Sequence, residues 1–299
     1  MNELLAVLEE RSGLIAYLAI DMAIAIILLG GIRYIMGVIN KVDTADELAK
    51  KDNFAFGISM AGGVAGMGIA LSGAVTGELA GSLSIEFIGM LAYGVAGLIL
   101  IKAGGYIHDK FALSTFDKRE QISERNISVG IVDAASVIAT AIVVRASIIW
   151  VDGLNTDTFV ALTAAWVVSQ IMLVIITRLF EWQYSKNNGI TFQNALVTGH
   201  LALAIRYSGY LISTAMSVTA ASHFIEFDIT SLWLGISQWV VISVVLMVLL
   251  TILTTFAKYL VLFGINRQDE VENQQNIGIA TIELATSFAI ALILMGLMA

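Results

Sequence analysis

Eight stretches of this chain run for more than 20 residues with few charges, near 13–38, 54–77, 85–107, 127–150, 158–180, 195–222, 230–257 and 277–298. A helix of about 20 apolar residues crosses a hydrocarbon core ~30 Å thick, so the pattern predicts an all-α polytopic membrane protein of eight transmembrane helices. Composition agrees: 58 % of the 299 residues are hydrophobic and only 13 % charged, against roughly 45–50 % and about 25 % in soluble domains. Span 13–38 reads as a membrane helix and not a cleaved leader, because it runs to 26 residues and Glu9 and Glu10 precede it. The chain has no cysteine and no proline but 26 glycines. Disulfides, thiolate metal sites and thiol nucleophiles are therefore excluded, and any helix break must come from glycine.

Charge gives the expected orientation. Apart from Arg11, Arg145 and Arg206, all 16 lysines and arginines lie in or beside the loops that follow spans 1, 3, 5 and 7. The other side collects Glu3, Glu9, Glu10, Glu78, Glu86, Asp152, Asp157, Glu226 and Asp228. The excess of basic residues marks the cytoplasmic loops and leaves both termini external. The formal charge of −8 is mostly an outer-face property, and no basic stripe exists to hold a nucleic acid.

The chain repeats itself. A shift of 150 places Asn126, Asp133, Ala135 and Ala139 on Asn276, Glu283, Ala285 and Ala289. A shift of 147 places Ala55, Ile58, Gly62 and Ala74 on Ala202, Ile205, Gly209 and Ala221. Two units follow, 1–152 and 153–299, each with four spans. An even number of spans makes the repeat parallel, related by an axis along the membrane normal. The expected architecture is one bundle with a pseudo-twofold, spans 2 and 6 central and spans 4 and 8 turned inward.

Two motifs carry a family resemblance. Span 2 opens Asn53-Phe54-Ala55 and continues into a glycine-rich run, and span 4 opens with Asn126 and bears an acid seven residues on. The chain thereby resembles, over both halves, the bacterial inner-membrane family known as domain of unknown function 350, whose four-span unit occurs in tandem. The resemblance implies a multi-pass inner-membrane protein of unsettled activity, often linked to membrane stress or polyamines, and no catalytic residues. Span 6 departs from the pattern, with His200 where Asn is expected and Arg206 in place of Ser59.

The polar residues inside the spans are the candidate site. Asp21, Asp133, Arg206 and Glu283 are ionisable and intramembrane, where a charge costs ~2.5–3.5 kcal/mol on insertion scales and generally faces protein or a water-filled cavity. Asp133 and Glu283 lie seven residues beyond their asparagines, about 10 Å deep, and Arg206 lies six beyond His200, about 9 Å deep. The three share a level, so Arg206 is expected to pair with one acid and leave the other protonated or free to bind a cation. Asn53, Asn126, His200 and Asn276 stand at the cytoplasmic ends of spans 2, 4, 6 and 8. Asparagine is a good helix N-cap, with anion binding the alternative. At His200 the choice lies between a boundary residue and a proton relay. Gly62, Gly66 and Gly209 allow close helix packing.

The three histidines have no metal-ligand spacing, and no nucleophile elbow, phosphate loop or zinc motif is present. No enzyme activity, metal or cofactor is expected. Transport of protons, small cations or polyamine-like cations competes with a non-transporting scaffold or accessory subunit of a membrane-stress complex. The partners are the lipid bilayer and further copies or membrane-stress proteins.

Overall fold

The computed structural model describes residues 2–75, 82–151 and 153–298, with side chains over 14–75, 82–151 and 153–297. Six of the charges expected on the outer face, Glu3, Glu9, Glu10, Arg11, Glu78 and Asp152, lie outside the described side chains. The described chain is helical: α1 (Asn2–Asn40), α2 (Phe54–Val75), α3 (Leu83–Ile107), α4 (Lys118–Ser123), α5 (Ile127–Trp150), α6 (Thr156–Asn188), α7 (Phe192–Val197), α8 (Leu201–Ala220), α9 (Leu232–Val261), α10 (Arg267–Glu272) and α11 (Ile277–Met298). Among the described residues, seven helices are long and apolar enough to cross a membrane, which makes the chain a multi-pass membrane protein. The helix α8, centre of the sixth predicted span, is not one of them. It carries Arg206, Ser208, Ser213 and Thr214 and is enclosed by other helices instead of lipid, so it need not be apolar.

The sixth span is also shorter than expected. Residues 195–197 belong to α7, and the chain turns at Gly199, whose φ of 84° is left-handed. The turn recurs. Asp52, Arg125 and Gln275, at φ 48°, 67° and 53°, likewise stand immediately before the residues that open α2, α5 and α11. A left-handed residue ends one helical element and lets the next begin at a new angle; glycine adopts it freely, and the three others carry a small penalty.

Each turn delivers a cap. The side-chain oxygens of Asn53, Asn126 and Asn276 accept from the backbone N–H of Phe56, Val129 and Ile279. At α8 the same task falls to His200, whose Nδ1 accepts from Leu203 N at 3.2 Å. These bonds satisfy N–H groups that a helix start leaves orphaned.

The two units are built alike. Within each, the helix after the first short connection packs most extensively on the last: α2 on α5, and α8 on α11. Both contacts depend on a glycine. A Cβ at Gly62 would lie 2.5 Å from Ala134 Cα, and one at Gly209, its equivalent, 2.6 Å from Leu284 Cα. Gly66 is similarly filled, by Val137 Cγ1 at 2.9 Å. In lipid, where apolar burial drives helix association weakly, such close approach supplies much of the packing energy.

Between the units, α5 packs on α8 and α6. This makes α5 the most enclosed span, 72 % buried, against 28 % for its equivalent α11. At the C-terminal end of α5, Trp150 donates from Nε1 to Ile225 O at 2.9 Å and meets the Trp239 ring edge-on at 5.2 Å. Toward the opposite end, Tyr207 Oη lies 2.9 Å from His108 Nε2 and 2.7 Å from Thr177 Oγ1.

A closed pseudo-twofold bundle would also need α11 to pack on α2 as α5 packs on α8. Among the described residues no comparable contact exists. The four inner helices form an open row, α2–α5–α8–α11. Spans 2 and 6 are thus not equivalently central: α8 lies inside the row and α2 at its end.

Candidate functional site

Asp133 and Glu283 occupy equivalent places near the N-terminal ends of α5 and α11, each at the meeting of three elements. Asp133 of α5 is 5 % exposed and Glu283 of α11 is 4 % exposed. Charges this far from water need partners, because the cost of desolvation is recovered only by good ionic and hydrogen-bonding geometry.

In the first unit the partners are Lys118 and Ser59. Lys118 Nζ, from the start of α4, lies 2.6 Å from Asp133 Oδ1 and 2.7 Å from Asp109 Oδ2. The Ser59 hydroxyl, from α2, donates to Asp133 Oδ2. Burial alone would push the Lys118 ammonium down, but Asp133 and Asp109 outweigh it and hold its pKa above the usual lysine range. This cluster is closed, with two acids around one lysine.

In the second unit the same positions carry more charge. Arg206 holds the place of Ser59, and its Nε lies 2.5 Å from Glu283 Oε2. Arg267 holds the place of Lys118 at the start of α10, with Nη1 3.4 Å from Glu283 Oε1. The remaining guanidinium nitrogens of Arg206 donate to Glu272 Oε1 at 2.8 Å and to Arg267 O at 2.7 Å. Glu272 also accepts from Asn188 at 2.6 Å, and His200 Nε2 contacts the Glu272 carbonyl at 3.1 Å. With Nδ1 accepting at the cap, the imidazole carries its hydrogen on Nε2.

This second cluster borders a polar cavity of about 330 Å³ between α6, α8, α9, α10 and α11. Its charged lining is Arg206, Lys258, Arg267, Glu272 and Glu283. The count is three cations against two carboxylates. Lys258, on α9, makes no ion pair within 4 Å among the described residues.

The arrangement divides the sequence-based candidates. Arg206 and Glu283 meet directly. Asp133 does not join them: α8 stands between the helices that carry the two acids, and Asp133 is committed to Lys118 and Ser59. The expected uncommitted carboxylate is therefore absent from this pair, because each acid finds its own cation on the short helix ahead of its span. Asp21 is buried on α1, with Glu86 of α3 as its ionisable neighbour, apart from both clusters. Asn53 and Asn126 use their amide groups to tie loops down, donating to Ile122 O and to Leu196 O at 2.9 and 3.0 Å.

Sequence reasoning missed Lys118, Arg267 and Glu272 as site residues. A signal exists in the chain: Lys118-Arg119-Glu120-Gln121-Ile122 and Arg267-Gln268-Asp269-Glu270-Val271 precede the two capping asparagines at nearly the same distance, the second with one residue more in between. No group of three or more His, Asp or Glu side chains arranged to hold a metal ion occurs among the described residues.

No curated protein and no solved structure matches the chain. The family model described as Domain of Unknown Function (DUF350) matches it twice, over residues 9–148 and 153–298. With nearly the whole length accounted for by two tandem copies, the chain belongs to the DUF350 family.

Proposed function

We propose that the chain is an eight-helix protein of the bacterial inner membrane, with both termini external, whose second unit takes up a small anion from the cytoplasmic side. The observation that carries this reading is the cavity lined by Arg206, Lys258 and Arg267, with its excess of one positive charge over Glu272 and Glu283. Its charges sit in a region of low dielectric, where they attract a counter-ion far more strongly than in water. The alternative cargo, a proton or a polyamine-like cation, needs a carboxylate free to receive it at the cavity, and there Glu272 and Glu283 are both paired with Arg206. The first unit, whose equivalent cluster is a closed ionic lock, then serves as the fixed half of the bundle.

A scaffold role is the second reading, supported by the saturation of Asp133 and Glu283, which is what a purely structural network needs. Proteoliposomes loaded with phosphate, chloride, potassium or spermidine decide between them. Anion flux that Lys258→Gln reduces at least tenfold, with unchanged folding, supports uptake of an anion. Flux of potassium or spermidine without anion flux overturns it, and no flux of any of the four favours the scaffold.

A further inference from the structure

The repeat provides an internal control on surface burial, because each position in one unit has a counterpart in the other. Comparing α5 with α11 shows one face whose fate differs. Val132, Ala135, Ala139 and Val143 of α5 are buried, the first and last at 0 % exposure. Their counterparts Ile282, Ala285, Ala289 and Ile293 of α11 are all exposed, the first and last at 39 % and 58 %. Helices α8, α6 and α7 are neighbours that α5 has and α11 has no counterpart for.

The complementary face shows the same difference. Ser208, Leu211, Ala215 and Thr219 of α8 are buried, and α5 is the neighbour of α8 that α2 has no counterpart for. The matching residues of α2 are Ala61, Val64, Gly68 and Ser72, of which Ala61, Val64 and Ser72 are exposed. Thus α11 presents the surface that α5 uses, and α2 presents the surface that α8 offers. Both belong to the same chain, at opposite ends of the row α2–α5–α8–α11.

We propose that these two faces meet between copies: α11 of one copy packs against α1 and α2 of the next, head to tail, as α5 packs against α6 and α8 inside the chain. The two copies enter the membrane the same way round, as the two units do, so no reorientation is required. The small residues Ala61, Ala65 and Gly68 on one side and Ala285 and Ala289 on the other permit the close backbone approach on which helix association in lipid depends. A polar contact should follow as well. Asn126 donates to the carbonyls of Leu196 and Val197 at the interface between the units. At the repeat offset of 147, Asn276 would face the carbonyls of residues 49 and 50 of the next copy. Such a contact is heterologous, using different surfaces on its two sides, so it closes into a ring when the rotation permits and otherwise runs on.

The absence of native cysteine makes disulfide trapping unambiguous. Two differently tagged chains, one carrying Ala61→Cys and the other Ala285→Cys, are to be co-expressed and oxidised in the membrane, with Ala65→Cys and Ala289→Cys as a second pair. The expected result is a covalent heterodimer for both pairs, and a ladder of higher species when one chain carries both cysteines of a pair. Wild-type chain in lipid nanodiscs should weigh two or more copies by native mass spectrometry, and Ala61→Trp should reduce it to one without lowering its melting temperature. Three results overturn the proposal. The doubly substituted chain could cross-link only within itself, showing that α11 closes onto α2 of its own chain. Ala285→Cys alone could give homodimers, showing a symmetric α11–α11 contact. Neither pair could cross-link while the wild type weighs one copy, showing that lipid covers both faces.

Discussion

Replacing Arg206 tests whether the second-unit cluster is a single network. The guanidinium makes three hydrogen bonds, to Glu283, Glu272 and the Arg267 carbonyl. Its side chain is 14 % exposed, and those of Glu283 and Glu272 are 5 % and 9 % exposed. Removing one partner of a buried pair costs ~3–5 kcal/mol, mostly through the charge left behind. Here Arg267 still reaches Glu283 at 3.4 Å, and Asn188 still reaches Glu272, so the lower end applies and Arg206→Ser should cost about 3 kcal/mol. The first unit suggests the compensation. It holds Ser59 and Ser123 where the second holds Arg206 and Glu272, and a single lysine there serves both Asp133 and Asp109. The double variant Arg206→Ser/Glu272→Ser removes the stranded carboxylate together with its cation, so it should be less destabilised than Arg206→Ser, with a coupling of roughly 1–3 kcal/mol. Reversible unfolding in mixed micelles, followed by tryptophan fluorescence, measures the wild type, Arg206→Ser, Glu272→Ser and the double variant. If Arg206→Ser costs under about 1 kcal/mol, or if the double variant is destabilised by the sum of the two single changes, the charges act independently and the network reading fails.

The glycine contacts give a second test. Gly62→Ala and Gly209→Ala should each destabilise by ~1–3 kcal/mol, because the added carbon meets backbone that cannot step aside. At Gly105 no atom lies within 4 Å of an added Cβ, so Gly105→Ala should leave the unfolding midpoint unchanged or raise it. The third test concerns pH. Lys51, and to a lesser degree Asn53, hold the Glu47 carboxyl below the usual glutamate range against the opposing effect of burial. A folded-state pKa lowered in this way stabilises fully above the unfolded value of about 4.3 and is lost as pH falls through the folded value. The melting temperature should therefore drop on acidification below about pH 4.3, and Glu47→Gln should flatten that part of the profile; an unchanged slope would show that Glu47 contributes nothing there.

The sequence by itself determined the class, the repeat and the positions of the caps. These are local properties: an apolar run of fixed length needs no partner to be a membrane helix, and an asparagine before such a run caps it wherever the helix lies. Helical rise is local too, which is why counting from His200 and Asn276 brought Arg206 and Glu283 to one depth. What only the tertiary structure decided is which cation each acid holds. Lys118 and Arg267 reach Asp133 and Glu283 from the short helices α4 and α10, and the angle at which a left-handed turn swings those helices over the bundle is not contained in any span. The unequal fates of α2 and α8, or of α11 and α5, are equally invisible in sequence. Matching residues carry the same pattern of small and apolar side chains, and burial depends on whether a neighbouring helix is there to cover them.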